Sequence, residues 1–243
     1  MFERVVEGVR WIPGKDRFLP DSHMYVVGRP DSDDFSLVDC GLMEMGAYKL
    51  EELRSCGVPL DKVKRVIMTH THVDHIGCLP EIQRAMPGLE VWVHKDEASY
   101  LENGDDQIVL GNPVFESMIR SQYTIPKGFF RVKVHRKLEG GENLTLGGIS
   151  FKVIHLPGHS AGSIGLFNDE HKLFMSGDTI YADGAIGRYD LVSANTSDLR
   201  HSLELIAELD VDILLPCHNR IVKSNAGPMV KNTVRQWTPL LGA

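Results

Sequence analysis

The chain has 243 residues, 26 Lys+Arg against 33 Asp+Glu for a formal net charge of −7, and 42% hydrophobic residues. That balance belongs to a soluble globular protein and excludes a disordered tail, a collagen-like rod and a disulfide scaffold. An acidic charge without a Lys/Arg block argues against nucleic acid as a partner, and no run approaches the ~18 apolar residues of a membrane span. The four cysteines (Cys40, Cys56, Cys78, Cys217) form no CxxC pair and read as thiols of a reducing compartment. The start, MFERVVEGVRW, lacks the apolar core of a signal peptide, so a cytoplasmic protein is expected. The most unusual count is histidine, at 11.

Residues 22–29 and 35–39 read as strands joined by the polar turn at 30–34, and residues 43–56 as a helix ended by Gly57. Val63 to Met68 is a buried-type strand running into Thr69-His70-Thr71-His72-Val73-Asp74-His75. A helix from about His75 to Met86 and a strand at Glu90–His94 follow. The second half repeats the plan. A strand at Ser150–His155 leads to His159, a hairpin of Ile164–Phe167 and Lys172–Met175 leads to Asp178, and a strand at Asp212–Leu215 leads to His218. Helices are expected over 197–209, with Ser197 as N-cap, and over roughly Gly227–Leu240.

Residues 96–130 fit neither half. They mix Gly104, Gly111, Pro113, Pro126 and Gly128 with Val114, Phe115, Met118, Ile119, Phe129 and Phe130, a composition expected of a helical flap inserted in a single domain over 1–243. Such a flap over the site would shape an acyl pocket; a surface excursion with its own small core is the plainer alternative.

The chemistry concentrates in His70-x-His72-x-Asp74-His75. With 11 His and 18 Asp in the chain, this pattern is expected by chance only about 0.002 times. In an extended segment residues i and i+2 point the same way, so His70 and His72 can grip one metal, while Asp74 and His75 aim at a second. His159, Asp178 and His218 each follow a strand, where loops form the rim of active sites in sheet-based α/β folds. Seven His/Asp ligands without thiolate match two divalent ions, with Zn first and Mn or Fe as alternatives, rather than a structural Cys-rich zinc site.

These motifs, THTHVDHIG (69–77), PGHSAGS (157–163), SGDTIY (176–181) and PCHN (216–219), resemble the metallo-β-lactamase-fold hydrolases over about Met24 to His218. The resemblance implies an α/β fold, a four-layer αββα sandwich of two similar halves. It assigns His70, His72 and His159 to the first metal and Asp74, His75 and His218 to the second, with Asp178 bridging. The stretch GDTIYADGAIGRYDL (177–191) is similar to the glyoxalase II and persulfide dioxygenase branch. The chain departs from glyoxalase II after His218, where Asn219-Arg220-Ile221 and a short tail stand in place of a basic glutathione clamp.

The implied reaction is hydrolysis of a small thioester or lactone by a metal-bound hydroxide, since two metals bring the pKa of a bridging water to about neutrality. Asp74 would orient that hydroxide as the catalytic carboxylate. The Tyr181 phenol either donates to the substrate carbonyl or simply packs. A mononuclear iron dioxygenase, an RNase Z-type phosphodiesterase and a non-catalytic metal-stabilised binding module are the competing readings. The expected partner is a small molecule, with no nucleic acid and no membrane, and a homo-oligomer is compatible. Asp39, ending a strand, is either a partner of a ligand histidine or a turn cap. Arg188 and Asp190 are expected to pair and hold the loop after Asp178. His23, His94, His135, His155, His171 and His201 lie outside the ligand pattern.

Overall fold

A computed structural model describes residues 1–15 and 19–241. It divides into two compact units, one of residues 1–138 and 146–149, the other of 139–145 and 150–243.

The first unit is built on one seven-stranded sheet whose strands lie in chain order. Strands β1 (Glu3–Val6), β2 (Val9–Ile12), β3 (Met24–Val27) and β4 (Phe35–Val38) form an antiparallel meander, with Trp11 opposite Tyr25 and Tyr25 opposite Val38. The ladder then turns parallel through β5 (Val63–Ile67), β6 (Glu90–His94) and β7 (Arg136–Leu138). Every residue of MYVV and FSLV is buried, as apolar runs covered on both faces should be. Strands β1, β2 and β7 fall outside the expected strands, as does the strand at Asn143–Leu146 in the second unit; in β1 the exposed Glu3 and Arg4 hide the alternation of a sheet edge.

Helix α1 (Gly46–Ser55) buries Gly46, Lys49 and Leu53, and Gly57 takes the left-handed turn after it at φ 75°. The helix expected over 75–86 is two pieces, α2 (Val73–Ile76) and α3 (Leu79–Ala85). A tertiary bond breaks it: Cys78 N–H donates to Gly41 C=O at 2.9 Å, and the Gly77 backbone packs so closely on Val73 and Met43 that a Cβ has no room.

The segment 96–130 carries three helices: α4 (Lys95–Asn103), α5 (Asp106–Val109) and α6 (Pro113–Gln122). Each has a side-chain cap, respectively His94 Nδ1 on Asp96 N–H, Asp105 on Gln107 N–H and Asn112 on Phe115 N–H. Its Ala98, Leu101, Val109, Leu110, Ile119 and Phe130 join the same core as Val66, Val91 and Val93 of the sheet. The separate small core of the plainer reading is therefore absent among the described residues.

The second unit carries a five-stranded sheet in the order β12-β11-β10-β9-β8. Its strands are β8 (Asn143–Leu146), β9 (Ile149–His155), β10 (Ile164–Asn168), β11 (Leu173–Gly177) and β12 (Ile213–Pro216), with β9–β10–β11 antiparallel and β11–β12 parallel. Helices α7 (Thr196–Ala207) and α8 (Gly227–Trp237) bury Leu199, Leu203, Ile206, Val230 and Val234 against Phe174 and Leu214. The cap of α7 is Asn195, not Ser197: its side chain accepts Asp198 N–H, so the helix begins one residue earlier than expected.

Candidate metal centre

In the first unit the parallel pairing of β4 and β5 brings their carboxyl ends to one edge, placing Asp39 beside the loop at 69–75. Asp39 is fully buried at a left-handed φ of 56°, a conformation that Asp tolerates better than most residues. Its Oδ1 accepts Thr69 N–H at 2.7 Å, and its Oδ2 accepts the Thr69 hydroxyl at 2.7 Å and His75 Nδ1 at 2.9 Å. Having given its proton to Asp39, the Thr69 hydroxyl faces His70 Nδ1 at 3.2 Å as an acceptor. Both imidazoles are thereby held with Nδ1 as the donor and Nε2 as the atom left for a metal.

The rings gather tightly. The His70 and His72 centroids lie 4.6 Å apart, and those of His70 and His75 4.0 Å apart. His75 Nε2 stands 3.8 Å from Asp74 Oδ2. The three histidines are buried, whereas the Asp74 side chain keeps 22% exposure. The backbone of these candidate ligands is held from both sides: Ser22 N–H donates to Asp74 C=O, and Cys40 and Gly41 N–H both donate to His75 C=O. The Cys40 thiol also donates to that carbonyl at 3.1 Å, and burial pushes this thiol well above its usual range.

In the second unit β11 and β12 run parallel and β9 points the same way across β10, so their carboxyl ends share an edge. There His159 Nε2 lies 3.8 Å and His218 Nε2 3.5 Å from Asp178 Oδ2. His159 Nδ1 donates to Arg188 C=O at 2.7 Å, which again leaves Nε2 toward the carboxylate. Cys217 N–H donates to Gly177 C=O, tying the two ligand loops together. Gly187 passes so close to Asp178 C=O and the His159 ring that a Cβ would collide with them.

All seven expected ligands thus stand in two clusters, His70, His72, Asp74 and His75 in one unit and His159, Asp178 and His218 in the other. The donors, five imidazoles and two carboxylates, fit borderline divalent cations. The Tyr181 ring lies 6.3 Å from the His218 ring, centroid to centroid. Arg188 and Asp190 form the expected two-pronged pair at 2.9 and 2.7 Å, their mutual bonds raising the guanidinium and lowering the carboxyl. Both are about half exposed, so the Arg188 carbonyl, not its charge, is the firmer anchor of the site. Thr69, Gly187 and that carbonyl were not singled out from the sequence. A backbone acceptor leaves no residue-type signal, although Gly187-Arg188 falls within the family stretch.

Four of the six histidines outside the pattern hydrogen-bond to backbone groups. His94 caps α4, His135 Nδ1 accepts Val91 N–H, His155 Nε2 donates to Ala161 C=O, and His23 Nδ1 accepts Gly14 N–H.

The family model of the metallo-beta-lactamase superfamily matches residues 19–218. The chain belongs to the metallo-β-lactamase superfamily. Its fold is the α/β metallo-β-lactamase fold, and the structure of a beta-lactamase from Chitinophaga pinensis aligns over 98% of this chain and 91% of its own at TM-score 0.73 and 16% identity. The di-iron-bound form of TTHA1623 aligns over 83% of this chain and 89% of its own at TM-score 0.64 and 27% identity. Among similar sequences, an uncharacterized Mycobacterium tuberculosis protein is 28% identical over 80% of this chain and 84% of itself. The hydroxyacylglutathione hydrolase GloC of Haemophilus influenzae is 29% identical over 63% of this chain and 66% of itself. The Gallus gallus acyl-coenzyme A thioesterase MBLAC2 is 32% identical over 63% of this chain and 55% of itself. As a superfamily member the chain is a metal-dependent hydrolase, and among the described residues no helix is long and apolar enough to cross a membrane.

Proposed function

We propose that this hydrolase holds two divalent cations and cleaves a small thioester or lactone. By the family resemblance His70, His72 and His159 would hold one cation and Asp74, His75 and His218 the other, with Asp178 contributing to both. The observation that carries this reading is the fixing of proton positions: His70, His75 and His159 each have Nδ1 engaged with a protein oxygen, the arrangement that reserves Nε2 for a metal. Two such cations supply Lewis acidity and lower the pKa of a water molecule toward neutrality.

The chain's own residues do the rest. Asp74, the more exposed of the two carboxylates, accepts a hydrogen bond from the attacking water and fixes its direction. Tyr181 donates its phenol hydrogen to the carbonyl oxygen as charge develops there. No serine or cysteine nucleophile is needed. The thioester class is supported by the names of GloC and MBLAC2, and imidazole and carboxylate donors make zinc the first choice of metal. Iron is the second, because TTHA1623 was solved with two irons. The substrate is a small molecule rather than a nucleic acid.

Metal analysis of the purified chain, followed by a panel of thioesters, lactones and phosphodiesters, tests this reading. Asp178→Ala is expected to abolish turnover and lower metal content. Full occupancy and turnover in that variant would overturn the dinuclear assignment.

A further inference from the structure

Lys49 is the one lysine with no exposed surface among the described residues, and it sits on the inward face of α1. Its Nζ lies 3.3 Å from Asp21 Oδ2 and donates to Ser22 C=O at 2.6 Å, with both side chains of the ion pair fully buried. A buried pair of this kind adds little stability over an apolar pair of the same volume, so packing alone does not call for it.

Its surroundings do. Asp21 Oδ1 accepts Leu42 N–H at 2.8 Å, and Asp21 Oδ2 accepts Lys15 N–H at 2.8 Å. Gly41 lies against this pair so closely that a Cβ would strike Asp21 Oδ1 and Lys49 Cε. Two chains of bonds therefore leave Lys49. One runs through Ser22, whose N–H donates to Asp74 C=O. The other runs through Asp21 and Leu42 to the turn at Cys40 and Gly41, whose N–H groups donate to His75 C=O.

We propose that the buried Lys49–Asp21 pair is a positioning clamp that sets the backbone of the Asp74–His75 dipeptide, and so tunes the affinity of the cation those two residues hold. Lys49 touches neither metal ligand nor substrate and acts through Ser22 and the Cys40–Gly41 turn. The inference rests on the metal assignment above, and it goes further in making the two cation sites unequal in their dependence on one distant residue.

The experiment titrates zinc into the metal-free full-length protein against a chromophoric chelator. It compares wild type, Lys49→Met and the doubly neutral Lys49→Met/Asp21→Asn, with urea unfolding run in parallel. Lys49→Met is expected to bind one equivalent about as wild type does and the second at least ~10-fold more weakly, the scale on which supports of metal ligands act. The double variant recovers unfolding stability, because no lone charge is left buried, but not the second affinity. A purely structural pair would instead give equal weakening at both sites, or affinity that returns together with stability, and either result overturns the clamp. Wild-type affinity at both sites in Lys49→Met overturns it as well. Should Lys49→Met fail to fold, Asp21→Asn carries the same comparison, since its amide oxygen still accepts Leu42 N–H. Wild-type protein that takes up no second zinc overturns the metal assignment and the clamp with it; two equivalents in wild type leave only the clamp at stake.

Discussion

Replacing Asp39 with Asn keeps the shape of the side chain and changes one acceptor into a donor. Asp39 accepts three hydrogen bonds of 2.7, 2.7 and 2.9 Å with no surface exposed. With the amide oxygen left on Thr69 N–H, the amide nitrogen would face two donors, the Thr69 hydroxyl and His75 Nδ1. The hydroxyl can turn and accept. His75 can comply only by moving its proton to Nε2, the atom a metal would use. Two bonds to a charged acceptor, at about 1.5–3 kcal/mol each, are lost, and rotation of the hydroxyl restores part. The expected net loss is about 2–4 kcal/mol, tolerable against the roughly 5–15 kcal/mol that holds a domain together. Metal affinity should fall about 10- to 100-fold, or about 1.4–2.7 kcal/mol. Urea unfolding of the metal-free protein reads the first effect and chelator competition with zinc the second. A variant with the wild-type midpoint and wild-type zinc affinity would show that Asp39 does not set the His75 proton, and the argument from proton positions would fail.

Tyr181→Phe should lower kcat by about tenfold or more with metal content unchanged, and an unchanged kcat returns Tyr181 to packing. Phe129, half-buried at 5.1 Å from Phe130, lines a cavity of about 100 Å³ with Ile76, Leu79 and Val132. If that cavity reads acyl chains, Phe129→Ala should raise KM more for long chains than for short ones, by about 0.8 kcal/mol per methylene no longer buried; an equal loss at every length refutes it. Cys40, Cys78 and Cys217 are buried, and burial raises the thiols of Cys40 and half-buried Cys56. An aromatic disulfide reagent at neutral pH should therefore label at most Cys56 in the native protein and four thiols after denaturation, whereas rapid labelling of three would contradict the packing.

The candidate ligands stood out in the sequence because each type has one dominant use at its place: histidines two apart in an extended segment, and acids or histidines just after buried strands. Strands such as Glu90–His94 were legible for the same reason, an apolar run between polar turns. What escaped the sequence was set at long range. The break at Gly77–Cys78 comes from a bond to Gly41, and the pairing of Lys49 with Asp21 joins residues of no shared motif. Strand β1 escaped because an edge needs little apolar surface, and the cap of α7 because Asn195 and Ser197 are equally good caps on paper.

The order of pairing in the first sheet also has a kinetic meaning. Strands β1 to β4 pair with partners close in sequence, but the parallel ladder joins Phe35 to Val63, Arg65 to Glu90 and Trp92 to Arg136, each across a long crossover. Chain entropy must be spent on such closures before their contacts form, so the parallel ladder is expected to assemble after the meander. Asp39 and Thr69 meet only when β4 and β5 are in register. A chain emerging from the ribosome therefore cannot orient His75 until the first crossover has closed, and the candidate metal loop at 69–75 is a late product of folding rather than a seed for it.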